Sequence, residues 1–405
     1  MNGSPADQLH PGPSAPGAGS TGRRRVEIAV VGAGAVGLAA AIALAKAGWE
    51  VALVGPTGAR PDGRTVALME GSLQFLMSIG AWDALEPLAS PLAVLTIVDD
   101  TGGLLRAPPV SFHAGEIGLD AFGQNIESAA LTQALAEEAA RVPGLTRTDD
   151  AVASVRLGDD RAELALRSGA AIEADLVVGA DGRESVVRAA AGLHERSWSY
   201  NQTALTAILS HARPHKDAST EFHTREGPFT LVPMAGRRSS LVWLAAPERA
   251  RALAGLSDPE FALAAEKQCH SMLGPMTVAG PRGVVAMSGM AVEGFSGRRC
   301  VIIGEAAHVF PPIGAQGLNL GLRDVADLAR AVGPVGGDPG APERLAAFDR
   351  KRALDVRART AAVDLLNRSL LAAFLPVDIA RSAGLLALSS IGPLRRFVMR
   401  QGLGA

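Results

Sequence analysis

The chain has 405 residues, 48% of them apolar and 20% charged, with a net charge of −2. That is an ordinary globular balance, long enough for two domains with large cores, and it lacks the basic excess of a nucleic-acid binder. Two cysteines, Cys269 and Cys300, exclude a disulfide framework and suit a reducing, cytoplasmic setting; without a Cys-x-x-Cys pair, dithiol redox chemistry is excluded as well.

Residues 1–25 are rich in Gly, Pro, Ser and Ala, without apolar period or an apolar run near the start. They read as a disordered tail and not as a signal peptide. Arg25–Val31 then reads as a buried strand, followed by Gly32-Ala33-Gly34-Ala35-Val36-Gly37, a helix to Ala47 and a strand Glu50–Val54. This strand–GxGxxG–helix–strand context is a dinucleotide fingerprint. Gly32 allows the tight turn, Gly34 lets a pyrophosphate approach, and Gly37 lets helix and strand pack closely; Ala35 and Val36 open the helix between them. An acidic residue is expected at the end of the second strand to hold ribose hydroxyls, but Gly55 stands there. The uncharged run Ile28–Ala45 is barely long enough to span a membrane, and its glycines fit the turn, so no span is read.

Further on, Asp175–Arg188 (DLVVGADGRESVVR) is a strand ending at Gly179 and a tight turn at Asp181-Gly182. Thr203–Ser210, Thr220–Thr224, Phe229–Met234 and Ser239–Ala245 read as strands. Ser257-Asp-Pro-Glu260 is a capping box opening a helix to about Met272. Residues 195–285 therefore read as a sheet with a helix behind it. His211, His215 and His223 cluster, but Pro214 keeps a helix from presenting the first two, so no metal site is read. No Ser-His-Asp signature is present.

Gly304–Asp324 (GEAAHVFPPIGAQGLNLGLRD) follows a short strand, Cys300–Ile303, and runs into a helical pattern from Leu318. Its small residues let backbone approach a ligand, and its helix opening suits a phosphate or an electron-rich ring edge. Val363, Leu366, Leu370 and Phe374 share a helical face that Pro376 ends, and a second helical stretch covers Ile379–Ser390. Arg395, Arg396 and Arg400 lie beside Phe397, Val398 and Met399. Two readings stand for this end: helices packing over the nucleotide domain, or peripheral contact with the inner face of an anionic membrane or with partner proteins.

The three motifs near residues 32, 181 and 304 resemble those of the FAD-dependent aromatic hydroxylases built like para-hydroxybenzoate hydroxylase. The ending Gly-Leu-Asn-Leu-Gly-Leu-Arg-Asp is most similar to their ubiquinone-biosynthesis branch. The resemblance covers almost the whole chain after residue 25. It implies an α/β fold: a Rossmann-like, discontinuous FAD-binding domain (26–88, 119–194, 286–360), a smaller α+β substrate domain (89–118, 195–285) and C-terminal helices (361–405). It implies FAD as cofactor, NAD(P)H and O2 as co-substrates, and hydroxylation of a polyprenylated phenol through an oxygen adduct at the flavin C4a carbon, with no protein group as catalyst. Any partner proteins at the C-terminal end would be quinone-biosynthesis partners. Arg64, in the loop with Asp62, would approach the cofactor. Gln124 would contact pyrophosphate, and Asp181, beside Gly182, the ribityl region. Arg183 and Arg188 would favour phosphate. Glu305 stands where the family usually carries Asp. Pro312, Gly314, Gln316, Gly317, Leu318 and Asn319 would complete the cofactor site. Pro311, Pro312 and Ile313 would shape the pocket, with Phe229–Met234 as the opposite wall and Pro233 facing the ring. His308 reads as a structural hydrogen-bonding residue. A hydroxylase of soluble phenols or polyketides, and a non-catalytic flavin-fold assembly subunit, share these motifs and stay open.

Overall fold

The computed structural model describes residues 23–56, 58, 63–103, 108–310 and 316–371, with 392, 393, 395, 396 and 399; for 316 and 357–371 it describes backbone alone. The N-terminal tail to residue 22, Asp62, Pro311, Pro312, Ile313, Gly314, the second C-terminal stretch and Arg400 lie outside the described residues.

Strand Arg24–Val31 is parallel to Val51–Val54 on one side and to Ala171–Gly179 on the other. Leu145–Thr148 and Cys300–Ile302 extend the parallel set outward. These strands are runs of Val, Ile, Leu and Ala because helices cover both faces of a parallel sheet. Helix α1 (Ala35–Lys46) is buried from Gly37 to Ala45, and its alanines and glycine allow close packing. Next in the chain are α2 (Glu70–Ser78), α3 (Ser128–Ala139) and α4 (Val186–Ala190). Thr65–Met69, Gly123–Glu127 and Ser90–Pro91 make a small three-stranded sheet between the layers.

The second large sheet has nine strands. Its main path runs His308–Val309, Gly283–Val292, Glu195–His211, Arg238–Ala245, Gly227–Met234, Ala218–Thr224, Val94–Asp99 and Val110–His113. Helices α5 (Pro247–Ala254) and α6 (Asp258–Gln268) back it. Leu205, Ala207, Phe229, Leu241 and Trp243 pack there against Phe261 in one core cluster. Burying each large side chain contributes about 1.5–3 kcal/mol. The expected capping box is present, with Glu260 Oε2 accepting from Ser257 N at 2.9 Å. The helix nonetheless stops at Gln268, short of Met272, because His270 and Ser271 turn left-handed with φ of 52°.

Two differences from the sequence expectations have physical causes. Strand Glu195–His211 is much longer than Thr203–Ser210: a bulge between Ser199 and Thr203 lets its polar first half keep pairing with Gly283–Val292. That partner runs through residue 286, the expected crossover, which therefore lies inside one strand. The excursion at 89–118 contributes two strands to the nine-stranded sheet, Val94–Asp99 lying parallel to Ala218–Thr224.

Helix α7 (Gln316–Val332) precedes α8 (Pro342–Leu371), a single helix carrying Val363, Leu366 and Leu370. Among the described residues no helix is long and apolar enough to cross a membrane. Arg395 and Met399 face inward: the Arg395 guanidinium lies 4.7 Å over the Phe112 ring and binds both oxygens of Glu116 at 2.6 Å. Met399 is buried with Val110, Phe112 and Phe122. Arg395 and Met399 thus pack on the excursion at 89–118, and Arg396 is exposed.

Candidate functional site

The end of strand Arg24–Val31 is shaped by contacts that exclude side chains. Gly32 has φ of 108°, and a Cβ on it would lie 2.2 Å from the Ala180 carbonyl oxygen. A Cβ on Gly37 would lie 1.9 Å from the Gly32 oxygen, so the helix and the turn touch backbone to backbone. A Cβ on Gly34 would meet nothing within 4 Å. Gly34 caps α1 with its carbonyl, accepting from Leu38 N at 2.9 Å, while no side chain caps this end and no acid sits in the first turn. The amides of Ala35, Val36 and Gly37 and the positive end of the helix dipole therefore point at open space suited to an anion.

Gly55 acquires a reason. A Cβ there would lie 2.5 Å from Ala33 N and 2.9 Å from the Ala33 Cβ. Any side chain at this position, including the acid expected for a ribose, collides with the glycine turn.

Asp181 is turned onto its own loop. One oxygen accepts from Ser185 Oγ at 2.5 Å, and the other from Val186 N and Val187 N at 2.8 and 3.3 Å, fastening the start of α4. Gly182 follows with φ of 78°. Arg188 is buried and donates to Ala306 O at 2.8 Å and Arg183 O at 2.5 Å, with Glu195 as ion partner. It is a tie between two motifs, which removes it as a phosphate ligand. Arg183 donates to Glu305 Oε2 at 3.3 Å and Ser288 Oγ at 3.2 Å, in an exposed pair. A Cβ on Gly304 would touch Val36 at 3.2 Å, and one on Gly321 at 2.7 Å. The three sequence motifs therefore meet around Val36 and Ala180.

A buried ionic network holds the third motif. Asp324 Oδ2 accepts from Gly304 N at 2.8 Å and faces His308 Nε2 at 2.6 Å. Its Oδ1 lies 2.7 Å from Arg352 Nε, and Arg352 NH1 binds Asp327 and Asp355 at 2.8 and 2.9 Å. Arg352 and Asp324 are fully buried. Burial alone would lower the Arg352 pKa, but the three carboxylates outweigh it and raise it. His308 thus sits in a structural network, as its sequence context implies. Asn319 accepts from Met69 N at 2.9 Å and Ser72 Oγ at 2.7 Å, and donates to Ala67 O at 2.7 Å, anchoring α7 to the Thr65–Met69 strand. Gly317 is exposed, with open space where a Cβ would stand, and Leu318 packs against the core. Arg64 is exposed, its carbonyl accepting from Ser128 N at 3.0 Å; Gln124 is half-buried opposite Leu68.

The nine-stranded sheet turns its other face toward this cradle. Thr65 and Ser240 share a hydroxyl hydrogen bond of 2.6 Å, and Asn125 Nδ2 donates to Pro233 O at 2.9 Å. Strand alternation puts Pro233 on the side of Leu231 and Phe229, so Thr230 and Val232 present side chains to the cradle instead. Among the described residues no group of His, Cys, Asp or Glu could hold a metal. His211 is bonded on both sides, to Arg213 O at 2.7 Å and Ser239 Oγ at 3.0 Å.

Sequence reasoning missed Arg352 and the structural duty of Asp324. The signal was present in α7: Leu320, Asp324 and Leu328 are spaced i, i+4, i+8, which puts an acid on the apolar face.

The FAD binding domain family matches residues 25–363. Ubiquinone hydroxylase UbiL of Rhodospirillum rubrum is 34% identical, over 93% of this chain and 89% of that protein. The 3-demethoxyubiquinol 3-hydroxylase of Escherichia coli is 29% identical, over 93% of this chain and 98% of its own length. Among solved structures, p-nitrophenol 4-monooxygenase PnpA from Pseudomonas putida DLL-E4 superposes with a TM-score of 0.78 at 19% identity, covering 94% of this chain and 98% of that one, a likeness of fold. The chain belongs to the FAD binding domain family.

Proposed function

We propose that this member of the FAD binding domain family is a flavin-dependent monooxygenase that hydroxylates the aromatic ring of a polyprenylated phenol in ubiquinone biosynthesis. The observation that carries the reading is the near full-length match to two ubiquinone-pathway hydroxylases, one at 34% identity. The cradle fits FAD: Gly34 leaves space at an uncapped helix start, where a pyrophosphate would be held by the amides of Ala35, Val36 and Gly37. Gly32, Gly182, Glu305, Gly317 and Leu318 would complete the cofactor site, with Arg64, just before the Thr65–Met69 strand, and Gln124, on the small sheet, beside it. Asp181 and Asn319 act by fixing backbone. FAD, when bound, supplies the redox chemistry between NAD(P)H, O2 and the ring. The protein's part is to orient the ring against the cofactor and to keep water out.

The test is mass spectrometry of quinone lipids from a strain lacking this gene. A prenylated phenol short of one or more oxygens is the expected accumulation, and the missing oxygen names the ring position. Normal ubiquinone without such an intermediate, in a strain with no redundant hydroxylase, would overturn the pathway assignment and favour a soluble phenol or polyketide.

A further inference from the structure

The cradle-facing side of the nine-stranded sheet carries one acid, Glu221, in a half-buried row. Register partners Thr206, Val242, Thr230 and Glu221 form one row across four strands, and Ile97 continues it onto the next. All five are half-buried, while the residues on the opposite face, against α5 and α6, are buried. One step along the strand from Val242 on the same face, Ser240 holds Thr65 of the small sheet. The row is thus a half-buried trough of two hydroxyls, a carboxylate and the apolar side chains of Val242 and Ile97, on the face that meets the small sheet through Ser240.

Glu221 is the acid of this row, with its side chain 25% exposed. Thr230 Oγ1 donates to its Oε2 at 3.3 Å, and His223 Nε2 lies 2.7 Å from its Oε1. His223 shares the face by alternation and is 7% exposed; its Nδ1 is buried with no partner among the described residues. Thr206 Oγ1 in the same row is also buried and without a partner. A buried polar atom left unbonded costs about 1–3 kcal/mol, and a polar ligand on this half-open face would offset that cost. The other charged groups around the pair are Asp99, across from His223 on the adjacent strand with its Oδ1 bonded by Thr101, and Arg225, which donates to Thr101 O.

We propose that Glu221 is a catalytic residue that accepts the phenolic proton of the substrate, and that His223 is the positioning residue that holds its carboxylate and takes the proton onward. The inference rests on the hydroxylase reading above. The phenol O–H bond breaks, a carboxyl O–H and then an imidazole N–H forms, and the electron pair stays on the phenol oxygen. No electron is transferred in this step. The phenolate is the more electron-rich ring, and that is what an electrophilic oxygen donor requires. The same contact fixes the hydroxyl at one end of the trough, and so which ring carbon faces the cofactor.

The test uses the FAD-loaded full chain with 2-prenylphenol as probe and compares wild type with Glu221→Gln, Glu221→Asp and His223→Asn. We expect E221Q to keep its flavin content and melting temperature, and to lose about 100-fold or more of product formation near neutral pH. Its rate should recover as the pH rises toward about 10, where a phenol ionises unaided. E221D should regain part of the loss, and H223N should shift the pH profile while lowering the rate less. In binding spectra, 4-nitrophenol should stay protonated to higher pH in E221Q than in wild type. A wild-type pH profile and rate in E221Q would overturn the proposal. So would a pH-independent loss accompanied by loss of flavin, because that marks a structural role. A wild-type enzyme that hydroxylates no phenol would instead overturn the function reading.

Discussion

In the cofactor cradle, polar side chains are spent on backbone: Asp181 on α4, Asn319 on the Thr65–Met69 strand, Arg188 on Ala306 and Asp324 on Gly304. On the sheet face opposite, Thr206 and His223 keep buried polar atoms unbonded within a half-open row, whereas the unbonded Nδ1 of His308 in the cradle lies inside an ionic network closed to solvent. A region that holds its cofactor through many turnovers must keep its shape by itself, whereas a face that meets and releases a substrate leaves groups for that substrate to satisfy. The contrast assigns stability to one region and chemistry to the other, and substitutions can test it from both sides.

The largest effect is expected at Arg352. Arg352→Met strips the countercharge from Asp324 and Asp327 in the core, and breaking such a buried pair costs about 3–5 kcal/mol. Purified protein should show a lower melting temperature and a flavin absorbance well below one FAD per chain. Full FAD content and an unchanged melting temperature would break the comparison, because the network would then not hold the cradle. Next comes Gly55→Glu, which supplies the acid that ribose binding is expected to use. The clash with Ala33 costs about 1–3 kcal/mol, so titration of FAD into apoprotein should show weaker binding by about tenfold or more. Tighter binding would mean the turn can yield.

On the sheet side the sign reverses. Thr206→Val removes an unbonded buried hydroxyl and should raise stability by up to about 1 kcal/mol in urea unfolding. A loss of similar size would show that the hydroxyl is satisfied in the folded protein. The smallest effect concerns His211. Burial lowers its pKa from the usual 6.5, partly offset by the hydrogen bond to the Arg213 carbonyl. A histidine depressed in the folded state favours unfolding once it is protonated. Its contribution is therefore present above pH 6.5 and lost as pH falls below it. Melting temperatures should decline from about pH 7.5 to about pH 5.5 in wild type, and less steeply in His211→Asn.

The cradle was legible in the sequence because each of its parts is contiguous: a strand, a glycine turn and a helix at Arg25–Ala47, and the runs Asp175–Arg188 and Gly304–Asp324. Local chemistry is enough to read those. The trough was not legible, because Thr206, Thr230, Val242 and Glu221 come from four strands and share a row through register, which no single segment encodes. The same cause hid the first half of strand Glu195–His211. Arg196, Ser197 and Ser199 give no apolar alternation, and pairing with Gly283–Val292 makes them a strand. Arg352 was hidden by distance along the chain, although the acid at 324 on an apolar helix face marked where a countercharge was needed. Gly55, which looked like a missing ligand, is a packing requirement of the turn beside it.

The most direct measurement is oxygen-isotope transfer. The FAD-loaded chain would be mixed with NAD(P)H, 2-prenylphenol and oxygen-18 gas, and the product analysed by mass spectrometry. A flavin-dependent hydroxylase predicts a ring-hydroxylated product that carries one labelled oxygen atom and forms in step with NAD(P)H consumption. Consumption of NAD(P)H that yields peroxide alone, or an unlabelled product, would contradict the account.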